Sequence, residues 1–251
     1  MDQLPIDAAT FLILFARVGA VLMLLPAFSE ESVPTQIRLV AALGFSIGLY
    51  GLLGPKIAPA AHAEAALPMI VIAEMLVGIA MGMIVKMLFS AASMAGSIAS
   101  MQIGLASALV VDPSLGGQSP LLARLIGLSA LIVCMSVGVH HLWIASIVNS
   151  YALFPVGGLP PGHDFATLAV RVLGQATGLG VSLAAPLILY GAIFNLGLGL
   201  AARVAPAIQV FFITQPLNLL LGLSLLAMVA GTMLTGFAAA MTDFMASGWS
   251  F

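Results

Sequence analysis

Charge is what this chain lacks most. Of its 251 residues, seven are Lys or Arg and nine are Asp or Glu, so 6% carry charge. Soluble domains carry about 25%, and a globule of this size could not cover its surface with so few. Hydrophobic residues make up 62%, with a mean hydropathy of +1.20. That balance excludes an ordinary soluble protein, and it excludes a disordered chain as well. The chain belongs in lipid or in a large apolar assembly.

Other absences narrow the reading. The basic residues are scattered singly and leave no stripe to neutralise phosphates, so nucleic acid is not a partner. Cys134 is the sole cysteine, which rules out an intrachain disulfide and a cysteine metal cage. Inside its apolar run it reads as a small buried hydrophobe. No HExxH or Walker-type loop occurs; the glycines of Ser114-Leu115-Gly116-Gly117-Gln118 are not followed by Gly-Lys-Ser/Thr. With no nucleophile and base at a recognisable spacing, the expectation is a protein that is not an enzyme, with no cofactor and no metal. The first residues, Met1-Asp2-Gln3-Leu4-Pro5-Ile6-Asp7, are acidic where a signal peptide is basic, so the first apolar run is expected to stay as a span.

What is present is length without charge. No charged residue lies between Arg124 and Asp164, between Arg171 and Arg203, or between Arg203 and Asp243. Each gap exceeds the ~20 residues that cross a hydrocarbon core as a helix. Backbone groups in lipid must bond within their own segment, and the runs lack the two-residue alternation of barrel strands. The fold class is therefore all-α: a polytopic membrane protein of about six long hydrophobic helices.

Breakers divide the chain into six apolar runs: Ala8–Phe28, Leu39–Gly54, Met69–Val111, Leu121–Phe154, Ala166–Ala202 and Ala207–Ala246. The second is short, and Gly54-Pro55-Lys56 reads as its end. The third would be about 60 Å long as one helix, so it must protrude, bend, or break near the small residues after Ser90. Small residues recur every fourth position in Ala92-Gly96-Ser100-Gly104, Gly174-Gly178-Ser182, Gly191-Asn195-Gly199 and Ala227-Gly231-Thr235-Ala239. Such stripes let helix backbones approach closely, within one chain or between subunits. Gly96 and Ser100 are singled out as a packing or interface face.

Arg17, Glu74 and Lys86 stand within apolar runs, where an ionisable side chain is costly and normally faces protein or water. Arg17 and Glu74 form one cross-helix pairing open to them. Snorkelling at a membrane edge, a subunit-interface contact and a transport relay are the others, and the relay makes a small-molecule or ion transporter the alternative function. Arg203 is the only charge between Arg171 and Asp243, with Pro206 following in a helix-to-helix turn. A cation there complements a helix C-terminus or meets a partner's carboxylate. His140 and His141 are adjacent and cannot share a metal as an i, i+4 pair would, so they read as packing residues. The segment from Gly104 to Pro120 begins apolar, carries Asp112, and then turns at Pro113, Gly116-Gly117 and Pro120.

Three blocks resemble the FliR family of the flagellar export gate, whose injectisome relatives serve type III secretion. The first is Phe15-Ala16-Arg17-Val18, Pro26-Ala27-Phe28 and Val33-Pro34-Thr35-Gln36-Ile37-Arg38. The second is Asp112-Pro113, Gln118-Ser119-Pro120-Leu121-Leu122 and Gly138-Val139-His140-His141-Leu142, where relatives often read Asn-Gly-His. The third is Leu183-Ala184-Ala185-Pro186, Asn195-Leu196-Gly197-Leu198-Gly199, Arg203-Val204-Ala205-Pro206, Gln209-Val210-Phe211-Phe212 and Gln215-Pro216-Leu217.

The resemblance implies a multi-pass subunit of the bacterial inner membrane and flagellar basal body. It implies assembly with FliP and FliQ into a closed helical pore for unfolded flagellar subunits, with FlhB around the pore and FlhA beneath it. It implies a FliP-like part over about 1–160 and a FliQ-like hairpin over about 161–251. It also implies a plug inside the closed pore at Leu105, Leu109, Val110, Val111, Asp112 and Pro113. In that family the helices pack into a complex raised largely above the bilayer plane, so the six apolar runs are expected to be covered by partners rather than by lipid.

Overall fold

A proline inside a helix removes one backbone donor and crowds the carbonyl four residues back, yet two of them stand inside one helix here. In a computed structural model, α3 runs from Thr35 to Ala61 straight through Pro55 and Pro59. The reading of Gly54-Pro55-Lys56 as a helix end is therefore corrected. Leu53 and Ile57, on either side of Pro55, are fully buried, and their burial offsets the lost hydrogen bonds. The structure describes residues 4–29, 33–105, 121–159, 162–204 and 210–247.

Among the described residues the chain is all-α, with no strand. The remaining helices are α1 (Leu4–Leu24), α2 (Pro26–Ser29), α4 (Leu67–Ile103), α5 (Leu121–Val137), α6 (Val139–Leu153), α7 (Gly162–Val204) and α8 (Val210–Ala246). Among the described residues five helices, α1, α3, α4, α7 and α8, are long and apolar enough to cross a membrane, and the bent pair α5–α6 makes a sixth if taken together. This is a polytopic membrane protein.

Two boundaries differ from the sequence expectation. Helix α4 does not break after Ser90; its 37 residues continue to Ile103. The fourth run is broken instead, at Gly138. Both stops use the same device: Gly104 and Gly138 adopt φ values of +86° and +88°. Their N–H groups turn back to Met101 O and Met135 O, each at 3.2 Å. This left-handed backbone disfavours any residue with a Cβ.

The chain divides into two compact units. Residues 1–88 and 140–173 form the first, in which α1 packs on α3 and Ile13, Leu14, Val18, Leu53, Ile57 and Val77 are buried. Residues 89–139 and 174–251 form the second, built around Ala95, Ala99, Ile103, Leu122, Ala184 and Leu187. There Phe89 meets Phe237 edge to face, with ring centroids 5.2 Å apart. Burial is uneven: 50% of the apolar stretch of α1 is buried, but only 22% of those of α3, α7 and α8.

Candidate functional site

An arginine without water around it must find an acceptor for every N–H it can. Arg17, on α1, does so with its side chain fully buried. Its Nε donates to Glu74 Oε2 at 2.7 Å, and Nη2 donates to Glu74 Oε1 at 2.9 Å. This is the two-pronged match of guanidinium to carboxylate. Nη1 donates to Ser150 Oγ at 3.1 Å, and Nη2 also donates to Phe154 O at 3.1 Å. Four of the five guanidinium N–H groups are thus used, and the Tyr151 ring lies 3.9 Å from the guanidinium carbon, in cation–π contact.

Glu74 is equally buried, and its Oε1 also accepts from the backbone N–H of Gly157 at 3.1 Å. Gly157 stands in the turn after α6 with φ +77°, which aims that N–H inward. Close approach makes the pair reachable. A Cβ on Gly78 would lie 2.6 Å from Arg17 O, and one on Gly82 would lie 2.6 Å from Leu24 Cβ. Glu74, Gly78 and Gly82 follow each other at four-residue spacing, so one face of α4 carries both the carboxylate and the grooves that admit α1.

The structure thus brings together Arg17 and Glu74, and leaves Lys86 apart and exposed on α4. Ser150, Tyr151, Gly157, Gly78 and Gly82 were not singled out from the sequence. The four-residue spacing from Glu74 was the one available signal. This assembly is a buried cross-link of three helices and a turn.

The other expected residues are placed separately. Gly96 is buried, and a Cβ there would meet Ala123 Cα at 2.6 Å and Leu122 O at 2.7 Å, so this approach of α4 to α5 lies within the chain. Ser100 is buried one turn further on. Gly174, Gly178, Gly199 and Gly231 have open space where a Cβ would stand. Ser182, Ala227, Thr235 and Ala239 are exposed beside them. Gly191 takes the Gln102 side chain against it, and Asn195 Nδ2 donates to Gly191 O at 2.8 Å. The stripe through Gly96 and Ser100 is therefore occupied, and two others are open faces of α7 and α8.

Arg203 stands exposed in the last turn of α7. Leu105 is half-buried against the cluster around Ile103. Leu109, Val110, Val111, Asp112, Pro113 and Pro206 lie outside the described residues. The His140 and His141 rings lie against each other at a tilt of 39°, with centroids 4.1 Å apart. Among the described residues no three His, Cys, Asp or Glu side chains gather as a metal site.

Sequence comparison sets this architecture among known proteins. The family described as "Bacterial export proteins, family 1" matches residues 8–244. The chain is 39% identical to flagellar biosynthetic protein FliR of Caulobacter vibrioides, over 92% of this chain and 90% of that protein. It is 35% identical to FliR of Escherichia coli K12, over 84% and 80%. It is 28% identical to FliR of Bacillus subtilis 168, over 83% and 81%. Likeness that runs almost from end to end, on an all-α multi-pass membrane fold, makes this chain a member of the FliR family of bacterial export proteins.

Proposed function

We propose that the chain is a subunit of the flagellar type III export gate, forming with FliP and FliQ a closed helical pore in the bacterial inner membrane. Unfolded flagellar subunits pass through it, and the protein itself performs no chemistry. FlhB lies around the pore and FlhA beneath it. Residues 1–160 take the FliP-like role and residues 161–251 the FliQ-like hairpin. The observation that carries this reading is the similarity to flagellar FliR proteins along nearly the whole chain.

The geometry supports it. Of Arg17, Glu74 and Lys86, which motivated the transporter alternative, the first two have no exposed side-chain surface and are engaged with each other as in a structural cross-link, and Lys86 stands apart from them. The open small-residue faces of α7 and α8 suit close contact with neighbouring helices. Exposed Arg203 suits a carboxylate on a partner.

Two experiments test the proposal. Purification in mild detergent should yield a stoichiometric complex with FliP and FliQ. A self-contained monomer or dimer with saturable solute flux would establish the transporter instead. Within the gate reading, Leu105, Leu109, Val110, Val111, Asp112 and Pro113 form the plug, whose apolar side chains keep water from a constriction. Deleting Ala106–Val111 should leave assembly intact and make the membrane leak ions. An assembled deletion variant with unchanged conductance would remove the plug assignment.

A further inference from the structure

A carboxylate at the edge of a membrane span needs donors, because hydrocarbon offers none. Asp7 stands in the first turn of α1, directly before the apolar run that begins at Ala8, and so marks one end of this span. It is exposed, and the Tyr50 hydroxyl of α3 donates to its Oδ1 at 3.1 Å. Among the described residues the one ion pair is that of Arg17 and Glu74, so Asp7 keeps its charge without a cation beside it. A carboxylate in a first turn complements the helix dipole by itself. The rings around this one do not follow from that.

Asp7, Phe11, Ile47 and Tyr50 line an open cavity of about 320 Å³, at the small end of the range for ligand sites. Phe11 and Tyr50 are half-buried, with ring centroids 6.2 Å apart and planes tilted by 54°. Phe15 continues the row one turn along α1, stacked on Phe11 at 6.3 Å. The two helices run antiparallel, since Asp7 meets Tyr50 while a Cβ on Gly19 would lie 4.0 Å from Ala42 Cβ. Leaving Asp7 in the same direction, Ile47 and Leu43 of α3 present exposed aliphatic side chains four residues apart. The order along this lane is a negative group, then ring faces, then hydrocarbon.

An ammonium group supplies three donors and no acceptor, and it is attracted to the faces of Tyr and Phe rings. Tyrosine favours the headgroup level of a bilayer. The lane from Tyr50 through Phe11 to Phe15, with ring-to-ring steps of 6.2 and 6.3 Å, reaches further than the four-carbon stem of a lysine. An acyl chain fills it. We propose that Asp7, Phe11 and Tyr50 bind the primary ammonium of a phospholipid headgroup, with an acyl chain laid along Phe15, Ile47 and Leu43. The inference rests on the membrane fold and not on the proposed assembly.

Native mass spectrometry of the detergent-solubilised full chain, titrated with dioleoylphosphatidylethanolamine or dioleoylphosphatidylglycerol, reads it directly. The two lipids share chains and phosphate, and only the first carries an amine. The ethanolamine lipid should bind about tenfold more tightly, and Asp7→Asn should weaken its binding by about the same factor. Mere repulsion of the anionic glycerol lipid would leave that binding unchanged in Asp7→Asn, and this result overturns the proposal. Tyr50→Leu, which removes a ring and leaves the charge, should also weaken binding of the ethanolamine lipid. Equal affinity for the two lipids in the wild-type chain, a comparison that needs no variant, overturns the proposal as well. Equal affinity together with poorer recovery of Asp7→Asn in a complex with its neighbours would assign this carboxylate to a partner's cation instead.

Discussion

Arg17 and Glu74 face each other through two parallel N–H···O bonds of 2.7 and 2.9 Å, and neither side chain has exposed surface. A buried pair of this kind gains little over apolar residues of the same volume, because both charges have lost their water. Losing one partner is different, since it strands the other charge. Arg17→Met or Glu74→Leu alone should each destabilise the chain by about 3–5 kcal/mol. The double variant should recover most of that loss. Thermal unfolding of the detergent-solubilised chain measures it, and additive losses in the double variant would show that the two residues are not coupled.

Gly96 gives a prediction of another kind. Its missing side chain is the space through which α4 touches the backbone of Ala123. Gly96→Leu should therefore damage this chain before it damages any complex, by several kcal/mol through forced separation of two helices. The measurement is limited proteolysis of the isolated chain. A variant as resistant as wild type that merely fails to assemble would place the role of Gly96 at a subunit interface instead.

Much of the architecture could be read from the sequence because one-dimensional signals carry it. Charge-free gaps longer than a membrane is thick mark α5–α6, α7 and α8, and apolar runs between breakers mark the earlier helices. What could not be read depends on partners distant in sequence. Pro55 follows the local rule for a breaker, but buried neighbours on both sides keep α3 helical. Gly138 looks like one glycine among many, and only its backbone angle shows that a helix stops there. Arg17 and Glu74 stand out as lone charges, but 57 residues separate them, and no spacing rule joins them. Gly157 contributes a backbone N–H, which any residue type possesses.

Gly157→Ala should be more harmful than its position in a turn suggests. A φ of +77° costs a residue with a Cβ about 1–2 kcal/mol. The added methyl would also lie 3.3 Å from Ile70 Cγ1. The turn would shift and loosen its N–H from Glu74. A fall in melting temperature is expected in Gly157→Ala, and a smaller fall when the same change is made in an Arg17→Met, Glu74→Leu background. Equal falls in both backgrounds would separate the turn from the ion pair.

Gly231 is the complement of Gly96. Open space surrounds its missing side chain, so Gly231→Leu should leave the stability of the isolated chain within about 0.5 kcal/mol of wild type. Recovery of the chain in a complex with its neighbours should drop sharply. Motility of cells carrying this variant gives the same answer without purification. Full motility and full complex yield would mean that this face of α8 touches lipid only.

The buried ion pair also imposes a schedule on synthesis. Arg17 leaves the ribosome 57 residues before Glu74, which at about 5–20 residues per second is roughly 3–11 s. During that interval α1 is an apolar segment holding a cation with nothing to neutralise it. The one arginine takes about 2.5–3.5 kcal/mol from the otherwise favourable transfer of this apolar helix into lipid. The contact that neutralises this arginine can therefore form only after Glu74 of α4 has been made. Ser150, Phe154 and Gly157 leave the ribosome last, so the cluster around Arg17 is complete only once the turn after α6 has been made.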